Sequence, residues 1–165
     1  MNFSDSLKGD LEERLKMVGQ ALAATESSLS LSSAQETDYP LIYVSSKFLE
    51  LTGYERSEVI GRNCRFLQGE DRDQPGLEAI RRALREGESV RVVLRNYTKV
   101  GKRFYNELSI TPIFGVDKRV EYFLGIQSDV TSRVLRDRDV EEALEATFRQ
   151  GDWIADEIMR RLSNT

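Results

Sequence analysis

Asn63-Cys64-Arg65-Phe66-Leu67-Gln68-Gly69 sets the only cysteine of the chain among side chains that hydrogen-bond and carry charge, which makes Cys64 a candidate reactive thiol. Arg65 is its neighbour and Arg62 lies two positions before it, so fixed positive charge stands close to the sulfur. Arg81 falls on a later helix, and two converging guanidinium forks suit a phosphate because they bond its oxygens in pairs. A lone cysteine is nonetheless more often an inert buried side chain, and arginines on helix faces are usually solvated. Residue types alone leave those plainer readings in front.

Asn96, Asn106 and Gln127 punctuate segments that read as β-strands. A carboxamide offers donors and an acceptor together, as reading the edge of a heteroaromatic ring requires. Taken singly, each is more often a solvent-facing strand residue. The chain has no histidine, so imidazole general-base catalysis, Ser-His-Asp chemistry and most transition-metal sites drop out. Neither an enzyme nor a metal centre is expected.

The elements that must position these residues follow from periodicity. Leu11, Leu15, Val18 and Leu22, with Glu12, Glu13 and Lys16 between them, predict an amphipathic helix over about residues 5–24. Leu29 and Leu31 alternate with serines, and after the Asp38-Tyr39-Pro40 turn comes Leu41-Ile42-Tyr43-Val44, giving two short strands. Residues 46–68 read as short helical turns. Pro75 stands near the start of a helix that carries Leu77, Ile80 and Leu84 on one face and ends near Gly87. Ser89–Tyr97, Arg103–Phe114 and Val120–Val130 are rich in β-branched and aromatic residues and read as a three-stranded meander. Beyond Thr131, Val140, Leu144 and Phe148 recur four apart, then Ile154, Ile158 and Leu162, with Gly151 interrupting the pattern. The predicted class is α+β: a five-stranded antiparallel sheet with helices on one face and further helices flanking it at both ends, leaving a pocket between sheet and helices.

A chain of 165 residues accommodates one core domain with terminal helices. The division expected is 1–27, an N-terminal helix; 28–130, the core; and 131–165, one or more C-terminal helices. The net charge is −4, and residues 28–130 hold 15 basic against 15 acidic side chains, so direct nucleic-acid binding, which needs a concentrated basic surface, is not expected. No apolar run suits a membrane span and the N-terminus has no signal-peptide pattern, so a cytoplasmic setting is expected.

Gly61-Arg62-Asn63-Cys64-Arg65-Phe66-Leu67-Gln68-Gly69 resembles the signature of the light-oxygen-voltage family, blue-light sensors of the PAS fold that bind a flavin. Further matches follow at Asp73, Arg81, Leu94-Arg95-Asn96-Tyr97, Gly101, Phe104-Tyr105-Asn106-Glu107, Pro112 and Tyr122-Phe123-Leu124-Gly125-Ile126-Gln127. The resemblance covers about residues 28–130, and the overall size is similar to bacterial short members without a fused effector. It implies that Cys64 is the photoactive thiol and that Asn63 and Gln68 hold the polar edge or side chain of the flavin. Arg65 and Arg81 match the phosphate-binding pair, which favours flavin mononucleotide (FMN). Asn96 and Asn106 match carboxamides facing the pyrimidine ring, Leu108, Ile110 and Phe123 match apolar positions along it, and Gln127 matches the glutamine beside ring nitrogen 5.

The mechanism so implied has Cys64 adding to flavin carbon 4a under blue light while nitrogen 5 gains a proton. A Gln127 amide that had donated to nitrogen 5 is then mismatched and rotates; leaving the bond unmade would cost about 1–3 kcal/mol. Gln127 lies four residues before Thr131, so the change enters the strand leading to the C-terminal helix, and the terminal helices are expected to form a homodimer that signals to a separate partner protein. The other readings are a flavin-binding interaction module without photochemistry and, with less support, a flavin-dependent redox enzyme. That enzyme would need a nicotinamide fingerprint or second redox cysteine that the chain lacks.

Ser28, Ser30 and Ser33 stand where the family often has a polar residue, a branched aliphatic against the flavin and an acidic turn residue. A small hydroxyl at position 30 loosens packing against the ring and admits water. Ser30→Val is therefore expected to slow dark recovery of the blue absorption, and an unchanged recovery time would remove that role.

Overall fold

The computed structural model of the protein describes residues 27–163, with side chains described through 147 and at 149. The helix expected over 5–24 lies outside the described residues. Two strands open the fold, β1 (Ser28–Ser33) and β2 (Leu41–Val44), followed by helices α1 (Ser46–Thr52) and α2 (Arg56–Val59) and a 3-10 helix at Cys64–Gln68. Helix α3 (Gly76–Glu86) then precedes β3 (Val90–Tyr97), β4 (Arg103–Phe114) and β5 (Val120–Asp129). Helix α4 (Thr131–Ser163) closes the described chain.

The five strands form one sheet in the order β2-β1-β5-β4-β3, with every neighbouring pair antiparallel. The sheet is thus a PAS-like α+β arrangement, in which the three-stranded meander is extended by β1 pairing onto β5. Register sets Ser28 opposite Gln127, Ser30 opposite Gly125, and Leu108 opposite Gln127. Because side chains alternate along a strand, Ser30, Leu94, Asn96, Asn106, Leu108, Ile110, Phe123, Gly125 and Gln127 emerge into one cavity from one face.

The helices opposite that face are pinned by buried polar contacts. Ser45, 2% exposed, caps α1 by accepting from the Phe48 amide at 3.2 Å, and its Oγ also accepts from Leu29 N at 2.9 Å. One hydroxyl therefore joins the start of α1 to β1. Phe48 packs with Leu41, Val44, Val59 and Leu67 in a fully buried cluster, and Cys64 and Phe66 lie against it. Gln74 fixes the start of α3: its Nε2 donates to Arg95 O at 3.0 Å and its Oε1 accepts from Arg95 N at 2.6 Å, as a neighbouring strand would. Gly76 lets α3 press close, since a Cβ there would stand 3.1 Å from Leu94 and Val92 side-chain atoms.

The chain divides into two compact units after Asp129. The second consists of α4, which runs unbroken through Gly151, contrary to the interruption expected there. Glycine costs a helix about 1 kcal/mol but keeps its N–H, so the hydrogen-bond ladder continues across it. Leu135, Val140 and Leu144 are exposed on this helix. Among the described residues no helix is long and apolar enough to cross a membrane.

Phe48 has no exposed surface and anchors the cluster that backs the 3-10 helix. Phe48→Ala is expected to lower unfolding free energy by about 3–5 kcal/mol in denaturant titrations; a loss below about 1 kcal/mol would mean that the cluster is not the core.

Candidate functional site

A cavity of about 510 Å³ lies between the inner sheet face and the helices, within the range of roughly 300–1,000 Å³ typical of cofactor and small-ligand sites. Asn63, Cys64, Arg65 and Gln68 enter it from the 3-10 helix and its cap, and Leu77, Ile80 and Arg81 from α3. From the sheet come Asn96, Asn106, Leu108, Ile110, Phe123 and Gln127. Every candidate site residue read from the sequence thus borders a single cavity.

Cys64 begins the 3-10 helix because Asn63 caps it: Asn63 Oδ1 accepts from Arg65 N at 2.9 Å. The thiol sits between the Phe48 cluster and the cavity, and burial pushes its pKa from 9.0 up to about 12. Guanidinium charge nearby would pull the other way, but neither neighbouring arginine serves the sulfur. Arg62 lies over the Phe66 ring, 4.5 Å from its centroid, and donates to Glu58 O at 3.2 Å. Arg65 is engaged in a two-pronged ion pair with Asp38 at 2.7 and 2.6 Å. The positive setting expected around the thiol is therefore corrected to an apolar one, and Cys64 is a neutral thiol at physiological pH.

Asp38 organises this end of the cavity. Its backbone oxygen accepts from Asn63 Nδ2 at 2.6 Å while its carboxylate holds Arg65. The guanidinium keeps the Asp38 carboxyl below the usual carboxylate range, and Arg65 is raised in return. Asp38 and Tyr39 both take positive φ, 71° and 50°, which turns the loop over the cavity. Tyr39 meets Phe123 edge-on with ring centroids 5.7 Å apart. Arg81 pairs with Glu78 at 3.3 Å and stays largely exposed.

The sheet wall carries polar groups at very low exposure: Asn96 at 3%, Asn106 at 1% and Gln127 at 3%. Asn106 Nδ2 donates to Asn96 Oδ1 at 2.9 Å, and Asn96 Nδ2 donates to Arg95 O at 2.9 Å. Asn106 Oδ1 is buried without any hydrogen-bond partner. An acceptor stranded in this way costs about 1–3 kcal/mol, a penalty that a donor on a bound ring would remove. The donor set fits a planar heteroaromatic ligand with an anionic tail: carboxamides on one wall, aliphatic side chains on both, arginines at one end.

Sequence reasoning missed Tyr39, Arg72, Arg85 and Ser32, which also line the cavity. Arg85 was detectable, since it lies one helical turn after Arg81 on the same face. Gly125 follows by strand alternation from Phe123 and Gln127. Tyr39 and Arg72 belong to loops, where no periodicity signals direction.

A family model described as PAS domain matches residues 30–132. The chain is 38% identical over 125 residues to a blue-light photoreceptor of Listeria monocytogenes, an alignment covering 76% of this chain and 49% of that protein. Among solved structures it is similar to the LOV domain of a blue-light activated histidine kinase from Erythrobacter litoralis, at 43% identity and a TM-score of 0.60 over 64% of this chain and 96% of that one. A second, described under the words flavin analogue and light-oxygen-voltage domain mechanism, is 38% identical with a TM-score of 0.68, covering 78% of this chain and 96% of that one. The chain spans between 13% and 49% of the length of the curated relatives it matches first.

Because burial raises the thiol pKa to about 12, the rate of dark alkylation of Cys64 by a small uncharged reagent is expected to keep climbing with pH up to about 10 without reaching a midpoint. A midpoint near the ordinary thiol value of about 8.5 would mean that the sulfur is solvated.

Proposed function

Since the chain belongs to the light-oxygen-voltage branch of the PAS domain family, we propose that it senses blue light through FMN bound in the cavity and through Cys64. The observation that carries this reading is the placement of a neutral, half-buried thiol on the helix wall and an unpaired buried acceptor, Asn106 Oδ1, on the sheet wall of one cavity. FMN, when bound, supplies absorption of blue light and a ring carbon that accepts a thiol only after excitation. Cys64 would present its Sγ to that carbon with the proton still on the sulfur, so the thiol itself would supply both the new bond and the proton, and no outside oxidant or base would be needed. A thiol held neutral brings its proton with it, and for this reason a raised pKa suits the step better than a thiolate would.

The other residues bind and orient. Asn96 and Asn106 present carboxamides to the polar ring edge, Leu108, Ile110 and Phe123 pack along the ring, and Asn63 and Gln68 hold its polar side or the chain below it. Arg65 and Arg81 face the phosphate, with Arg65 exchanging its Asp38 partner for phosphate oxygens. Gln127 would sit beside ring nitrogen 5, where its amide could turn to match a change there from acceptor to donor, and β5, which carries Gln127, ends at Asp129 just before α4.

Division of the chain into a 28–130 sensing core with terminal helical segments belongs to the same proposal, as does a homodimer formed through those helices. Exposed Val140 and Leu144, four apart on one face of α4, support the dimer, since apolar side chains stacked on one helix face need a covering surface. The partner protein is a separate chain of unidentified class. The balanced charge of the core argues against direct nucleic-acid binding. A reducing cytoplasm suits a thiol that must remain free.

Purified protein is expected to be yellow, to lose its blue absorption under blue light and to regain it in darkness. Cys64→Ala should keep the flavin and its fluorescence while losing reversible bleaching. Colourless protein, or bleaching that survives Cys64→Ala, would overturn the reading. Light scattering that gives a monomer in both light states would remove the dimer alone.

A further inference from the structure

The Gln127 amide is held at both ends by hydroxyl groups. Its Nε2 donates to Ser30 Oγ at 2.7 Å, and its Oε1 accepts from Ser28 Oγ at 3.3 Å. All three side chains are buried, and Ser30 and Gln127 both line the cavity. The room for this contact comes from Gly125, which lies opposite Ser30 in the ladder. A Cβ at Gly125 would stand 2.5 Å from Ser30 Oγ and 3.0 Å from Gln127 Nε2. On its other side Gln127, together with Ser28, borders a second pocket that reaches Lys47, Glu50 and Asp129.

A hydroxyl both donates and accepts, whereas each end of a carboxamide does only one of these. When Gln127 turns over about its last side-chain bond, Ser30 Oγ changes from accepting at Nε2 to donating to Oε1. Ser28 Oγ makes the reverse change and accepts from Nε2. Both orientations of the amide are then hydrogen-bonded inside the same cage, and the serine hydroxyls follow the rotation without any heavy-atom movement. A hydrocarbon side chain at position 30 would leave the end of the amide that faces it without this partner in either orientation, at the cost attached to a buried unpaired group.

We propose that Ser30 is a positioning residue for the Gln127 switch: its hydroxyl orients the amide in darkness and reverses its own hydrogen bond when the amide turns, so that the two orientations interchange readily. This role rests on the light chemistry proposed above and goes beyond the packing role that the size of Ser30 alone implies. In a packing role position 30 acts by volume; in a positioning role it acts by the presence of an oxygen.

Ser30→Thr and Ser30→Val separate the two, because threonine and valine share a branched shape and differ by a hydroxyl in place of a methyl. Two measurements apply to the flavin-loaded protein. One is dark recovery of the blue absorption after a flash; the other is the side-chain amide resonances of Gln127 in isotope-labelled, dark-adapted protein. Ser30→Thr is expected to keep the resonances and recover within about twofold of the unsubstituted rate, while Ser30→Val shifts the resonances and slows recovery about fivefold or more. Ser30→Ala, which adds no bulk, should follow Ser30→Val in both measurements and covers the case in which valine impairs folding. Equal slowing by threonine and valine, or Gln127 resonances that stay in place in Ser30→Ala, would overturn the assignment while leaving the light chemistry intact. Failure of the unsubstituted protein to bleach would instead overturn the light chemistry, and the Ser30 role with it.

Discussion

The inner face of the sheet buries Ser28, Ser30, Asn96, Asn106 and Gln127, and the need to satisfy these polar side chains away from water governs how the rest of the fold is arranged. A buried carboxamide or hydroxyl without a partner costs a sizeable fraction of the total stability of a small domain. The chain answers by pairing them across neighbouring strands, Asn106 with Asn96 and Gln127 with the two serines. Antiparallel register brings each pair into reach, so the hydrogen bonds that build the sheet also fix which polar groups can meet. What remains over among the described residues is the unpaired acceptor Asn106 Oδ1, on a residue that borders the ligand space.

A sheet face given over to polar contacts cannot also be the main hydrophobic core. Tight apolar packing is displaced toward β2 and the short helices, where Leu41, Val44, Phe48, Val59 and Leu67 close on one another with almost no exposure. Cys64 stands at the junction of the two environments, backed by hydrocarbon and fronted by the cavity. Its location explains the high thiol pKa, since desolvation acts from behind while the nearest arginines have other partners. The same short helix therefore supplies a rigid mount and a low-polarity setting for one atom.

Much of this was legible in the sequence. Strand and helix boundaries followed from alternation, from Pro75 and from the turn-forming segments, because the elements of the core agree with their local propensities. The carboxamides and the cysteine stood out through the family resemblance of the segments that carry them, not through their residue types alone. Less legible was the use to which charge is put: Arg62 and Arg65 sit beside the thiol in the chain, yet a 3-10 helix sends one over Phe66 and the other to Asp38, which is 27 residues away. Ser30 was visible only as a small residue at an expected aliphatic position. Its bond to Gln127 depends on a ladder between strands about 97 residues apart and on the absence of a side chain at Gly125. Gly151, read as a break, costs too little to stop a helix already running on both sides of it.

Gln74 has a bearing on how this sheet meets other proteins. β3 is the outer strand on its side, and an outer strand ordinarily presents free N–H and C=O groups to which a foreign strand can add. At Arg95 both groups are already taken by the Gln74 side chain, and Asp71 draws the Arg95 guanidinium across the same stretch. A single amide thus acts as a one-residue imitation strand. It denies a continuous edge to any neighbour seeking to extend the sheet there, and so guards the domain against growing into a fibre from that side.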